Sequence, residues 1–249
     1  MTRRKALTAT LLVVLGVLLL ALPGAVQAQE LSISLGQGGS LTGRSVQLIL
    51  LITVLSLAPG LAIMITCFPF IVTVLSILRQ AIGLQQSPPN MLIVSLALFL
   101  TYFVMEPVFT EAWDNGIQPL VAEQIDVEEA FPRVMAPFRT FMAARLDPET
   151  YATMAALRPD VTVLAPSADA PLSVLVPSFL LSEVARAFKV GFLIFLPFLI
   201  IDLVVAAILM SMGMMMVPPA IVSLPFKLAF FVIADGWSLV AGSLVRSYF

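Results

Sequence analysis

The sequence predicts an all-α, membrane-associated chain built from helical hairpins. Three observations carry this. First, 60% of the 249 residues are hydrophobic, only 11% are charged, and the mean hydropathy is +1.05. Soluble domains hold about 45–50% apolar and about 25% charged residues. Second, the apolar runs, of which residues 46–78 form the longest, exceed the length of ordinary strands. Third, two turns share one chemistry. Gly83 stands five residues before Pro88-Pro89, Gly213 stands five before Pro218-Pro219, and each turn joins two apolar runs.

The elements follow in order. Residues 1–28 open with Arg3, Arg4 and Lys5, continue through an apolar core, and end on small residues after Pro23-Gly24. That is the layout of a secretory signal peptide, with cleavage expected after Ala28. Residues 29–45 are rich in Gly and Ser and read as a flexible lead-in. A first hairpin region spans 46–109. Its apolar run over 46–78 would measure about 50 Å as one helix, against about 30 Å of hydrocarbon, so one straight span does not fit. Pro59-Gly60 and Pro69 are the candidate break points. Residues 110–175 hold ten acidic residues and four arginines with many prolines, which predicts a water-exposed acidic insert on the outer side. A second hairpin region over 176–249 carries the stretch MSMGMMMVPP at residues 210–219.

The two turns echo each other further. Both Pro-Pro pairs lead into Ile-Val-Ser-Leu, at 93–96 and at 221–224. Glycine is expected to release the first helix of each hairpin and proline to start the second. Both tips then face one side. One tip is polar, with Gln85, Gln86 and Ser87, and the other holds five of the chain's twelve methionines. Methionine is unbranched and polarizable, so a ring of such side chains can close around irregular objects. From residue chemistry alone, ordinary packing and a lining role both fit.

Charges inside apolar runs are the other signal. A charge near the centre of a membrane helix costs about 2.5–3.5 kcal/mol on insertion scales, so it needs a partner or water. With a tip near residues 214–215, Asp202 and Lys227 lie at the same depth of an antiparallel hairpin. Glu183 competes as a partner of Lys227, from the same arm or from another copy. Ion pairing that fixes helix register and a proton relay are both open. Arg79 is the main basic residue near the inward turns.

Composition also excludes functions. There is no histidine, and the single cysteine, Cys67, rules out an intrachain disulfide and a cysteine-rich metal site. No Gly-x4-Gly-Lys-Ser/Thr occurs, and no basic tract recruits nucleic acid. No cofactor, metal or catalytic residue is expected. An intramembrane aspartyl protease would need Asp202 and Asp235 as a dyad, but their contexts, LIIDLV and VIADGW, lack Gly-x-Gly-Asp. A small-solute transporter built on the repeated hairpins lacks a convergent polar site.

Three stretches resemble the FliP family of flagellar protein export, whose injectisome counterparts are called SctR. They are LRQAIGLQQSPPNMLIVSLALFLTYFVMEPV, PSFLLSEVARAFKVGFLIFLPFLIIDLVVAAILMSMGMMMVPP and LPFKLAFFVIADGW. The resemblance covers the chain from about residue 46 to its end and is weakest over the insert. It implies a non-enzymatic subunit of the flagellar type III export gate, with the equivalent injectisome subunit as the alternative. It also implies a homo-oligomer, a pentamer, joined by two smaller FliQ-like and FliR-like membrane proteins and traversed by unfolded substrates. The helices would form a cone in the flagellar basal body at the inner membrane, with a large part facing the periplasm. Met212, Met214, Met215 and Met216 map onto the family's channel constriction. The signal peptide and MGMMMVPP resemble the flagellar branch.

Overall fold

The computed structural model describes residues 41–84, 87–158, 166–214 and 216–249. The expected signal peptide, the lead-in up to residue 40, Gln85, Gln86 and Met215 lie outside the described residues. All regular structure among the described residues is helical. The chain divides into two compact units, residues 1–52 and 53–249, and of the first only the start of helix α1 is described.

Helix α1 runs Leu41–Met64 and α2 runs Phe68–Ile82. The long apolar run therefore breaks at residues 65–67. Pro59 is carried inside α1, while Pro69 sits in the first turn of α2, where its missing N–H costs nothing. Helix α1 begins at Leu41, inside the stretch read as a flexible lead-in. The first hairpin's return arm is α3, Asn90–Ala112. A π-helical turn at Trp113–Ile117 and a short α4, Gln118–Val121, prolong it well past residue 109. Gly116 lies against Val134: a Cβ there would stand 2.9 Å from the Val134 nitrogen. The prolonged helix and the next one can meet there only because that side chain is absent.

The acidic insert folds as α5, Val127–Arg145, and α6, Pro148–Ala156. Each starts on an aspartate cap. Asp126 accepts from the Glu129 N–H, and Asp147 accepts from the Thr150 N–H. The second hairpin's first arm, α7, is one continuous helix, Leu172–Ser211, with Pro177 and Pro197 inside it. At 40 residues it is about 60 Å long, twice a hydrocarbon layer. The amphipathic stretch around Glu183 and the apolar stretch beyond Gly191, distinct in sequence, are thus one rod. The return arm is α8, Pro219–Ile233, bent by 61° into α9, Gly236–Arg246.

Helix α2 is the centre of the main core. Phe70, Ile71, Val74, Leu75, Leu78, Ala81 and Ile82 recur at helical spacing and are all buried. Gly191 lets α7 approach this helix, since a Cβ there would fall 2.4 Å from Ile77 Cδ1. A second core joins α5, α6 and the start of α7 through Met142, Leu146, Tyr151, Val174, Leu175 and Phe179. Outside these cores the surface is strongly apolar: Phe99, Phe103, Phe192, Leu203, Ile221 and Ile233 are all exposed. Isolated apolar side chains on a surface need no explanation, but so many on adjoining helices call for lipid or other subunits. The segment Asn90–Val121 and α7 are long and apolar enough to cross a membrane.

Candidate channel-lining loop and its charged supports

The methionine tip is built by a defined helix stop. Gly213 has φ +75, and its N–H bonds the Met210 carbonyl at 3.0 Å, while the Met214 N–H reaches back to the Leu209 carbonyl at 2.9 Å. This nested pair is the Schellman arrangement, in which a left-handed glycine closes the helix and satisfies its last carbonyls. Pro218 then caps α8 and Pro219 occupies its first turn. The described methionines on either side of Gly213 are exposed. Met210 and Met212 are 60% and 66% exposed, Met214 is 41% exposed and Met216 is 97% exposed. They form no part of either core. The two cores therefore do not account for them.

Below the tip, α7 and α8 leave a wholly apolar cleft of about 480 Å³. Met212 and Met214 line it together with Val204, Ile208, Val222 and Phe226. The first hairpin's tip is held differently. Gly83, with φ +90, ends α2, and Pro89 caps α3. Arg79 fastens this turn by donating to the Pro88 carbonyl at 3.4 Å and to the Asn90 side-chain oxygen. Gly83 faces α8: a Cβ on it would meet Leu224 Cδ1 at 3.5 Å.

The charges in the apolar helices resolve into two separate groups. Lys227 Nζ donates to Asp202 Oδ2 at 2.6 Å and to the Ala81 carbonyl at 3.2 Å. Ser223 Oγ donates to Asp202 Oδ1 at 2.5 Å. Lys227 thus ties both arms of the second hairpin together and satisfies a carbonyl in the last turn of α2. Glu183 does not reach Lys227. It is fully buried and pairs with Arg145 Nε at 3.3 Å and with Arg186 Nη1 at 3.6 Å. Asp235 is exposed at the α8–α9 bend, eight residues past Lys227 and so about 12 Å further along the chain's helical rise. Asp202 meanwhile has both oxygens engaged, by Ser223 and Lys227.

These supports hold an exposed, adaptable tip on two braced hairpins, and that arrangement can be set beside known proteins. A family model described as the FliP family matches residues 51–244. The chain belongs to the FliP family. Curated relatives named flagellar biosynthetic protein FliP align along most of its length. The one from Caulobacter vibrioides is 54% identical over 228 residues, covering 91% of this chain and 85% of the relative. The one from Agrobacterium fabrum is 48% identical over 236 residues, covering 92% and 96%. The one from Bacillus subtilis is 44% identical over 207 residues, covering 82% and 92%.

For this member of the FliP family, the structure adds partners that sequence reasoning missed. Ser223 was legible in principle, since it lies one helical turn before Lys227. Arg145 and Tyr248, which meet Glu183, are far from it in sequence and left no local signal. Met215 was named with the other methionines, but its position lies outside the described residues.

Proposed function

We propose that this chain is a core subunit of the flagellar type III protein-export gate, required for flagellum assembly. Several copies join two smaller FliQ-like and FliR-like membrane proteins, five copies by family resemblance, and unfolded flagellar proteins pass between them. The complex sits in the inner membrane at the basal body, with the acidic insert facing the periplasm. Met212, Met214, Met215 and Met216 of each copy converge on the channel and seal it. The chain binds and positions; it performs no catalysis, and the energy for transport comes from other components.

The observation that carries this reading is the exposed methionine tip on braced hairpins in a FliP-family chain. Methionines that lie outside both cores and remain 41–97% exposed are available to other copies and to a passing polypeptide. Their flexible thioethers suit low-specificity contact with many sequences. The flagellar reading is favoured over the injectisome one by the relatives' names. A detergent-purified particle should contain several copies of this chain with two other small hydrophobic proteins. Cells lacking the chain should fail to build flagella. A particle with one copy and no such companions, or normal flagella without the chain, would overturn the proposal.

A further inference from the structure

We propose that Tyr248 is a positioning residue that locks the buried Glu183–Arg145 pair and so clamps the outer helices α5 and α6 onto α7. Glu183 is fully buried in an apolar helix, so both of its oxygens need partners. Arg145 and Arg186 meet Oε1. The only hydrogen bond to Oε2 among the described residues is donated by the Tyr248 hydroxyl. Burial first, and then the neighbouring negative charge of Glu183, push this phenol above its usual range. It therefore stays protonated and remains a donor.

The same tyrosine holds the arginine. The Arg145 guanidinium carbon stands 3.9 Å from the centre of the Tyr248 ring, and Arg145 Nη1 donates to the adjoining Ser247 carbonyl at 2.6 Å. The ring is fixed in turn from two sides. It meets Phe70 of α2 edge-on at 5.7 Å and stacks on Phe141 of α5 at 6.0 Å. Arg145 is the last residue of α5, and its own carbonyl accepts from Arg186. Two residues on, the Asp147 N–H donates to Ser182 Oγ on α7, and Asp147 caps α6. The charged part of the junction between α5 and α7 thus closes around one phenol.

Position gives the clamp a consequence. Helix α7 runs unbroken from Glu183 to the methionine tip. Fixing the roll of its outer end fixes the direction of the tip at its inner end. This consequence, but not the clamp itself, rests on the export reading.

Amide hydrogen exchange on the full chain in detergent tests the clamp. Tyr248→Phe keeps the ring and removes only the hydroxyl. Loss of a charge-assisted hydrogen bond should speed exchange over residues 146–156 by roughly ten- to a hundredfold, with no change in α8 around Lys227. Glu183→Gln combined with Tyr248→Phe should be no worse than the more severe single change, since both act on one contact. Arg145→Lys, which keeps the charge but loses the stacked fork, should give the same local pattern. Unchanged exchange over 146–156 in Tyr248→Phe would overturn the proposal. So would acceleration spread equally over α8, or simple additivity in the double variant. Accelerated exchange over 146–156 in Tyr248→Phe with export unchanged would leave the clamp standing and count only against its consequence for the tip.

Discussion

Replacing Lys227 with alanine removes the cation between α8, α7 and the end of α2. The expected loss follows from burial on each side of the pair. Removing one partner of a buried ion pair costs about 3–5 kcal/mol, because the other charge is left uncompensated. Asp202 retains 32% of its side-chain exposure and its hydrogen bond from Ser223. Part of its charge can be hydrated, so Lys227→Ala should fall at the low end, about 3 kcal/mol. The reverse change is harsher. Asp202→Ala strands an ammonium group that is only 7% exposed, with the Ala81 carbonyl as its one remaining acceptor. It should lie at the high end, about 5 kcal/mol. Swapping both for apolar residues, Asp202→Leu with Lys227→Met, should recover much of the loss, because no charge remains buried. Thermal unfolding of the full chain in detergent, read as helical signal, measures all three. The reasoning fails if Lys227→Ala is as stable as the parent, if Asp202→Ala is the milder single change, or if the double change is no better than the worse single.

Three further outcomes follow. Changing Met214, Met215 and Met216 together to alanine keeps Gly213 and Pro218-Pro219, so the gate should assemble at normal levels yet leak ions when idle; an assembled variant as tight as the parent in resting conductance would return the methionines to ordinary packing. Gly116→Ala should cost about 1–3 kcal/mol of stability, because the new methyl group meets both Val134 Cγ2, on a stiff β-branched side chain, and the Val134 backbone; an unchanged melting point would refute this. Asp147 is held below the usual carboxylate range by the hydroxyl and N–H of Thr150. A depressed folded-state value means its contribution is full above the unfolded pKa, about 3.9, and disappears as pH falls through the folded value. Asp147→Ala should therefore be less stable than the parent at pH 7, with the gap closing under strong acid, and a gap independent of pH would contradict the assignment.

How much of this was legible depends on the range of the interactions. The hairpins were readable because glycine and proline act locally: a left-handed residue at 213 and a ring at 219 stop and start helices whatever surrounds them. The Asp202–Lys227 pair was readable because an antiparallel hairpin converts residue numbers into depth. The break at residues 65–67 was only half readable. Pro69 marked it correctly, but Pro59 and Gly60 carry the same local signal and are absorbed inside α1. The continuity of α7 was hidden because its composition changes near Gly191, while helical hydrogen bonding does not follow composition. The Glu183 junction was readable only in Arg186, one helical turn on; Arg145 and Tyr248 were not. These two come from α5 and from beyond α9, and only the folded chain brings residues 145, 183 and 248 together.

The central claim is that exported chains pass the methionine tip. The direct measurement places a single reactive thiol there, Met214→Cys, in a chain whose buried Cys67 is changed to alanine, within cells that are exporting a substrate arrested in transit. The account predicts a covalent cross-link between position 214 and the arrested substrate, and none when the thiol is moved to an exposed site on the insert such as Thr153. A gate that exports normally but never yields a cross-link at 214, while the insert position does, would contradict it.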